Sequence, residues 1–189
     1  SSSRSGFGFV RVEGSERDIF IPEGKCGGAI DGDAVEVIYH RYKSYTGECV
    51  IGGKKVMLMK PTTYMNNSGQ AVVEAMNFYK IPIEKVIVCY DDISLEPSFI
   101  RIRRKGSDGG QRGLRSIIDE LGTDAFPRIR FGVGKKPHPD YDMKDWVLST
   151  FAPSEREKLR TLFPIACEGI EHLIKDDLDG AMQICNRKG

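Results

Sequence analysis

The 189-residue chain has five cysteines, too few, too scattered and odd in number to frame a disulfide-held fold. Cys26, Cys49, Cys89, Cys167 and Cys185 form no CxxC pair and gather no histidine, so no metal site is expected. The three histidines, His40, His138 and His172, stand apart from each other and from any serine or cysteine partner. No uninterrupted apolar run reaches 18 residues, which excludes an ordinary transmembrane helix. Charge of one sign is also lacking: the net formal charge is +1, so the whole chain makes no electrostatic case for nucleic acid. These absences imply a reducing, cytoplasmic setting without a metal site or a membrane span.

The hydrophobic fraction of 40% and charged fraction of 29% suffice for a core, and the length suits one domain or a small module joined to a larger one. Charge is unevenly placed. Residues 1–43 carry six basic and seven acidic residues, whereas 99–115 carry six basic residues against Asp108 alone. The texture changes too. GFGFVRV (6–12), DIFIP (18–22) and AVEVIYH (34–40) are short β candidates separated by GSER and a glycine-rich stretch. TGECV (46–50) and KVMLMKP (55–61), joined at GG, predict two further strands.

From residue 69 the period becomes helical, with Ala71, Val72, Ala75, Met76 and Tyr79 on one stripe. KVIVCY (85–90) reads as a buried strand ending at Asp91–Asp92, and FIRIRR (99–104) as a half-exposed one. A helix is expected over 113–121 and a strand over 128–134. Segment 135–145 reads as a polar loop able to cover a cleft. A helix from Pro153 to about Lys175 is expected to bend near Pro164, with a last short helix over 177–187. Strands alternating with helices from residue 44 onward indicate an α/β fold.

In such folds the ligand crevice lies beyond the carboxyl ends of the strands. Asp91 and Asp92 sit there, as do Asn66 and Ser68 after the strand 55–60. The loop KGSDGGQRG (105–113) precedes a helix whose free N–H groups, with Arg112, suit a phosphate, though it lacks the lysine-serine ending of a P-loop. Asn67 or Ser68 is expected to cap the helix beginning at Gly69. Plainer roles for all these groups are turn-forming and capping.

The succession GECVIGGKKVMLMKP, TTYMNNSG, VIVCYDDISLEP, GSDGGQRGLRSII, LGTDAFPRIRFGVGKKP and DWVLSTFAPSE makes residues 44–188 resemble a bacterial peptidyl-tRNA hydrolase. The resemblance implies a three-layer α/β sheet with flanking helices, and cofactor-free cleavage of the ester joining a peptide to tRNA. It places Asn66 as a substrate-holding amide, with Met65, Ser68, Gly110 and Arg112 beside it. Asp91 matches the aspartate that orients a catalytic histidine. Where the family carries glycine-glycine-histidine-asparagine-glycine, this chain reads Gly109-Gly110-Gln111-Arg112-Gly113, and an arginine cannot accept a hydrogen bond as an amide does.

GFGFVRV, DIFIP and GDAVEV make residues 5–43 resemble part of a cold-shock/OB-type domain of the ribonuclease R family. That implies base-stacking roles for Phe7, Phe9 and Phe20, and the basic strand adds Arg101, Arg103 and Lys105 as nucleic-acid contacts. The family's opening strand and histidine-bearing helix are not evident. The resulting expectation is a chimera: an OB-like segment at 1–43, then a hydrolase-like domain at 44–189 without an identifiable general base. Its hydrolysis is expected to be impaired. Two alternatives stay open, a non-catalytic RNA-binding chimera and a folding scaffold. Expected partners are tRNA or single-stranded RNA, and a second copy through strand exchange.

Overall fold

The computed structural model describes residues 8–10, 19–21 and 39–186. The chain divides into two compact units, Ser1–Ile38 and Tyr39–Gly189. In the first, β1 (Gly8–Val10) and β2 (Ile19–Ile21) run antiparallel, with Phe9 paired to Phe20. Short aromatic and β-branched triplets favour such pairing. Phe7 and residues 34–38 of the expected third strand lie outside the described residues.

The second unit opens with an antiparallel meander of β3 (Tyr39–Arg41), β4 (Ser44–Ile51) and β5 (Lys54–Pro61). Each connection is a two-residue hairpin turn with both residues at positive φ, the form that matches strand twist. Gly52 and Gly53 take it without a Cβ penalty, at φ 57° and 78°. Tyr42 and Lys43 adopt the same geometry at φ 51° each. The Tyr42 ring contacts Phe78 and Tyr79 at centroid distances of 5.5 and 5.7 Å, and this packing opposes the turn's strain.

A mixed sheet follows in the order β6-β8-β7. Here β6 (Val88–Asp92) is parallel to β8 (Arg128–Gly132), and β7 (Ile100–Arg103) is antiparallel to it. Period-two alternation assigns its faces. Ile100, Ile102 and Ile129 are buried against Leu162, Ala166 and Leu173 of α4 (Pro153–Ile174), and Ala181 and Cys185 of α5 (Leu178–Cys185). Val88 and Tyr90 pack with Leu114 and Ile117 of α2 (Arg112–Leu121), Val72 of α1 (Ser68–Tyr79), and Phe126. Helices therefore cover a mixed sheet, and fully burying Phe126 or Ile129 contributes about 1.5–3 kcal/mol each.

Three expectations need adjustment. The strand at 85–90 is displaced: Ile83–Lys85 form a 3-10 turn after Pro82, and β6 carries Asp91 and Asp92 within its last two positions. Helix α4 runs through Pro164 as one element, because Leu162, Ala166, Gly169 and Leu173 keep its buried stripe continuous past an exposed proline. Segment 135–145 is not all loop. The Lys136 ammonium binds the Pro139 and Tyr141 carbonyls, and Asp142 caps α3 (Met143–Val147). Trp146 Nε1 donates to the Gly134 carbonyl at 3.1 Å and ties this segment to the end of β8. Among the described residues, no helix is long and apolar enough to cross a membrane.

Candidate functional site

The adjacent aspartates that end β6 have different environments. Asp92 is 9% exposed and fully engaged. Its Oδ2 accepts from Arg130 Nε at 2.6 Å, and its Oδ1 accepts from the Ser94 backbone and hydroxyl at 2.7 and 2.6 Å. Burial pushes its carboxyl up, but the Arg130 and Ser94 hydrogen bonds outweigh that and hold it below the usual carboxylate range. Asp92 is thus a strut between β6, β8 and the turn at 92–96. Asp91 has one side-chain hydrogen bond among the described residues: its Oδ1 accepts from Gln111 Nε2 at 3.1 Å.

Gln111 connects the predicted groups. It is the cap of α2, with Oε1 accepting from Leu114 N at 2.7 Å. Its Nε2 also lies 3.6 Å from the Met65 sulfur. Met65 begins the 3-10 turn Met65–Asn67 that leads into α1. The Ser68 hydroxyl donates to the Met65 carbonyl at 3.1 Å. A Cβ on Gly113 would fall 2.6 Å from the Met65 sulfur, 3.1 Å from Gln111 Oε1 and 3.4 Å from Ser68 Oγ, so any side chain here would displace the Met65 thioether from its present place. Asp91, Met65, Ser68 and the 111–113 segment are therefore neighbours, with exposed Asn66 on the same turn. The expected side-chain cap by Asn67 or Ser68 is not made: α1 begins at Ser68, the Asn67 side chain accepts no capping hydrogen bond, and the Ser68 hydroxyl donates back to Met65. Thr62 Oγ1 donates to the Lys43 carbonyl, while Thr63 Oγ1 is buried without a hydrogen-bond partner among the described residues.

The glycine-rich loop holds itself. Gly110 N donates to Asp108 Oδ1 at 2.7 Å, and Arg115 Nε donates to Asp108 Oδ2 at 2.8 Å. Arg115 chiefly, then the Gly110 N–H, holds the Asp108 carboxyl below its ordinary value. Arg112 is exposed at the first position of α2. The loop's base rests on Arg128, which is 1% exposed and has no carboxylate among the acceptors it contacts. Its guanidinium donates to the carbonyls of Gly106, Ser107, Asp124 and Phe126, and lies 4.5 Å from the Phe126 ring centroid. Burial pushes its pKa down.

The basic strand sits two strands from β6. Arg101 pairs in register with Arg130, and Arg103 with Arg128. Arg101 is half-buried, 5.3 Å from the Phe99 ring centroid, while Arg103 and Lys105 are exposed. Phe9 and Phe20 are opposite residues of β1 and β2; Phe7 lies outside the described residues. His138 pairs with Asp140 and His172 with Asp177, while His40 lies in β3 with its side chain outside the described residues. Among the described residues, no group of three or more His, Cys, Asp or Glu is arranged to hold a metal ion. Sequence reasoning passed over Gln111 and Arg128. Glutamine is not a favoured cap, and arginine is almost never fully buried, so neither announced its role.

Comparison with known proteins now gives this cluster a family. The family model described as Peptidyl-tRNA hydrolase matches residues 31–189. The chain belongs to the peptidyl-tRNA hydrolase family. A peptidyl-tRNA hydrolase of Caldicellulosiruptor bescii is 49% identical over 146 residues, which span 77% of this chain and 76% of the relative. One of Clostridium botulinum (strain Eklund 17B / Type B) is 45% identical over 152 residues, or 80% and 78%. The crystal structure of peptidyl-tRNA hydrolase from Acinetobacter baumannii superposes with a TM-score of 0.74 at 29% identity, covering 80% of this chain and 76% of that one. Residues 1–49 also match the model described as Ribonuclease B OB domain.

These likenesses correct the reading of the front of the chain. The expected chimera began its hydrolase portion at residue 44, but the family model takes in 31–43 as well. Relatives 40–49% identical align over 76–82% of their own lengths. That overturns the picture of a truncated, impaired enzyme without a general base, and with it the non-catalytic alternatives. Motifs that differ from an expected pattern do not by themselves remove a function.

Proposed function

We propose that this hydrolase family member cleaves the ester joining a peptide to tRNA, by attack of water on the ester carbonyl. Asn66 holds the substrate through its exposed side-chain amide, which can donate to a carbonyl and accept from an N–H at once. Asp91 orients the general base that takes the water's proton. Met65, Ser68, Gly110 and Arg112 border the peptide and the tRNA end. Arg101, Arg103 and Lys105 meet the tRNA backbone, and Phe7, Phe9 and Phe20 stack on bases. The observation that carries the reading is the Gln111 amide, which joins Asp91 to the turn bearing Asn66.

The test is cleavage of a model peptidyl-tRNA by the wild-type chain and single variants. Asp91→Ala is expected to lower kcat by about a hundredfold or more, the scale of general acid–base assistance. Asn66→Ala is expected to act mainly on KM. Neither should lower Tm much, because Asn66 is exposed and Asp91 makes a single side-chain hydrogen bond among the described residues. Wild-type levels of cleavage by both variants would sink the assignment.

A further inference from the structure

We propose that Gln111 is the positioning residue for Asp91, fixing one carboxylate oxygen and leaving the other to act. This rests on the hydrolytic reading of the same site. A side-chain amide has one acceptor end and one donor end. The acceptor end is committed, because Leu114 N–H points at Gln111 Oε1 from 2.7 Å. Turning the amide over would set its NH₂ against that N–H and its oxygen against the Asp91 carboxylate, two repulsive contacts. The donor end therefore faces Asp91 Oδ1.

The backbone of Gln111 is held as well. Its N–H donates to the Asp108 carbonyl at 3.0 Å, and its carbonyl accepts from Arg115 N at 3.0 Å. Met65 and Gly113 close the space around the side chain. Rotation of the Asp91 carboxylate away from Gln111 would cost a charge-assisted hydrogen bond and leave a polar NH₂ against sulfur. Oδ2 of Asp91 carries no hydrogen bond among the described residues, so it is the oxygen available to the reacting water or its base. Through Gln111 the direction of that oxygen is referred to the axis of α2, a rigid element.

Gln111→Glu separates this role from simple scaffolding. Glutamate keeps an oxygen for Leu114 N–H, so the cap and the fold persist, but it replaces the donor facing Asp91 with a second carboxylate. We expect a Tm close to wild type and a kcat about tenfold or more lower at pH 8, with KM little changed, the size of one charge-assisted hydrogen bond. The deficit should shrink as pH falls, because a proton shared by the two carboxyls restores a donor toward Asp91. Gln111→His, which can also donate, should recover more kcat than Gln111→Ala.

A Gln111→Glu kcat within about twofold of wild type at pH 8, a loss confined to KM, or a deficit constant with pH would each overturn the proposal. A second readout is independent of turnover. The Gln111 side-chain ¹⁵N resonance should move as Asp91 ionises and stand still in Asp91→Asn. Absence of that coupling refutes the pairing even in an active enzyme. Conversely, a wild-type chain that hydrolyses nothing would defeat the hydrolytic reading, while the resonance still decides whether Gln111 holds Asp91.

Discussion

Gly69→Ala tests whether the site depends on how closely α1 and α2 meet. Gly69 N donates to Ser116 Oγ at 2.9 Å, which brings the start of α1 onto the middle of α2. A Cβ at residue 69 would stand 2.2 Å from the Ser116 carbonyl oxygen, 2.6 Å from its carbon and 2.8 Å from Glu120 Cγ. Ordinary contact begins near 3.4 Å, so the shortfall against a backbone atom is about 1.2 Å. A backbone carbonyl inside a helix cannot swing away, and the helices must separate by roughly that amount. Overpacking of this kind costs about 1–3 kcal/mol, reduced by the better helix propensity of alanine. With that offset the net cost is about 1–2 kcal/mol, and at about 2–4 °C per kcal/mol for a domain of this size the expected fall in Tm is roughly 2–8 °C. The same separation pulls Met65 from Gln111 and shifts the turn bearing Asn66, and a misplacement near 1 Å can cost about a hundredfold in rate. Thermal melts and single-turnover cleavage of peptidyl-tRNA, run well below the variant's Tm, measure both effects. Ser116→Ala is the companion. It removes the partner of a buried N–H without steric pressure, so it should cost stability with a smaller loss of rate. A Gly69→Ala protein with unchanged Tm and unchanged kcat/KM would refute the reasoning.

Arg128→Met should cost about 2–4 kcal/mol by orphaning buried carbonyls at 106–107 and 124–126, and Arg128→Lys should recover only part, since one ammonium cannot fork to both segments; denaturant melts decide. Asp92 has a folded-state pKa below its unfolded one, so its contribution is present above the unfolded carboxylate value near ~3.9 and is lost as pH falls through the folded value. Arg130→Met should therefore start less stable at pH 7 and show a flatter loss of stability below about pH 4, read from denaturant midpoints against pH. His138→Asn and His172→Asn should leave kcat within about twofold, because each imidazole is paired with its own aspartate while Asp91 is hydrogen-bonded to Gln111. In the same assay, a loss confined to His40→Asn would make His40 the base that Asp91 orients, and retention in all three variants would exclude all three histidines from that role.

Local periodicity made most of the second unit readable. The stripe Ala71, Val72, Ala75, Met76 marks α1, and the GG turn marks the β4–β5 hairpin, because both depend on neighbours in sequence. Ile100 and Ile102 alternate with arginines as expected, and their partners are α4 and α5. The end of β6 was harder. Pro82 starts a 3-10 turn that uses up residues 83–85, so the strand is shifted toward the aspartates. Sequence leads one to expect Asp91, Asn66 and the glycine-rich loop near one crevice, and Gln111 is what joins Asp91 to the turn bearing Asn66 in space. Its placement combines a close approach at Gly113, a helix starting at 112 and a methionine 46 residues earlier, which local pattern cannot bring together. Arg128 was hidden for a similar reason. In RIRF it looks like one more outward charge, and only the fold of two separate loops turns it inward.

The Arg128 clamp also bears on how these loops can change. The loops it ties together are gripped through main-chain oxygens, at Gly106, Ser107, Asp124 and Phe126. Carbonyls are present whatever side chain a residue carries, so the anchor does not read the identity of positions 107 or 124. Sequence drift at those positions is insulated from the placement of Gln111 further along the loop. A saturation library should therefore accept wide variety at 107 and 124 and almost none at 128. The loop's surface is free to vary while its footing stays put.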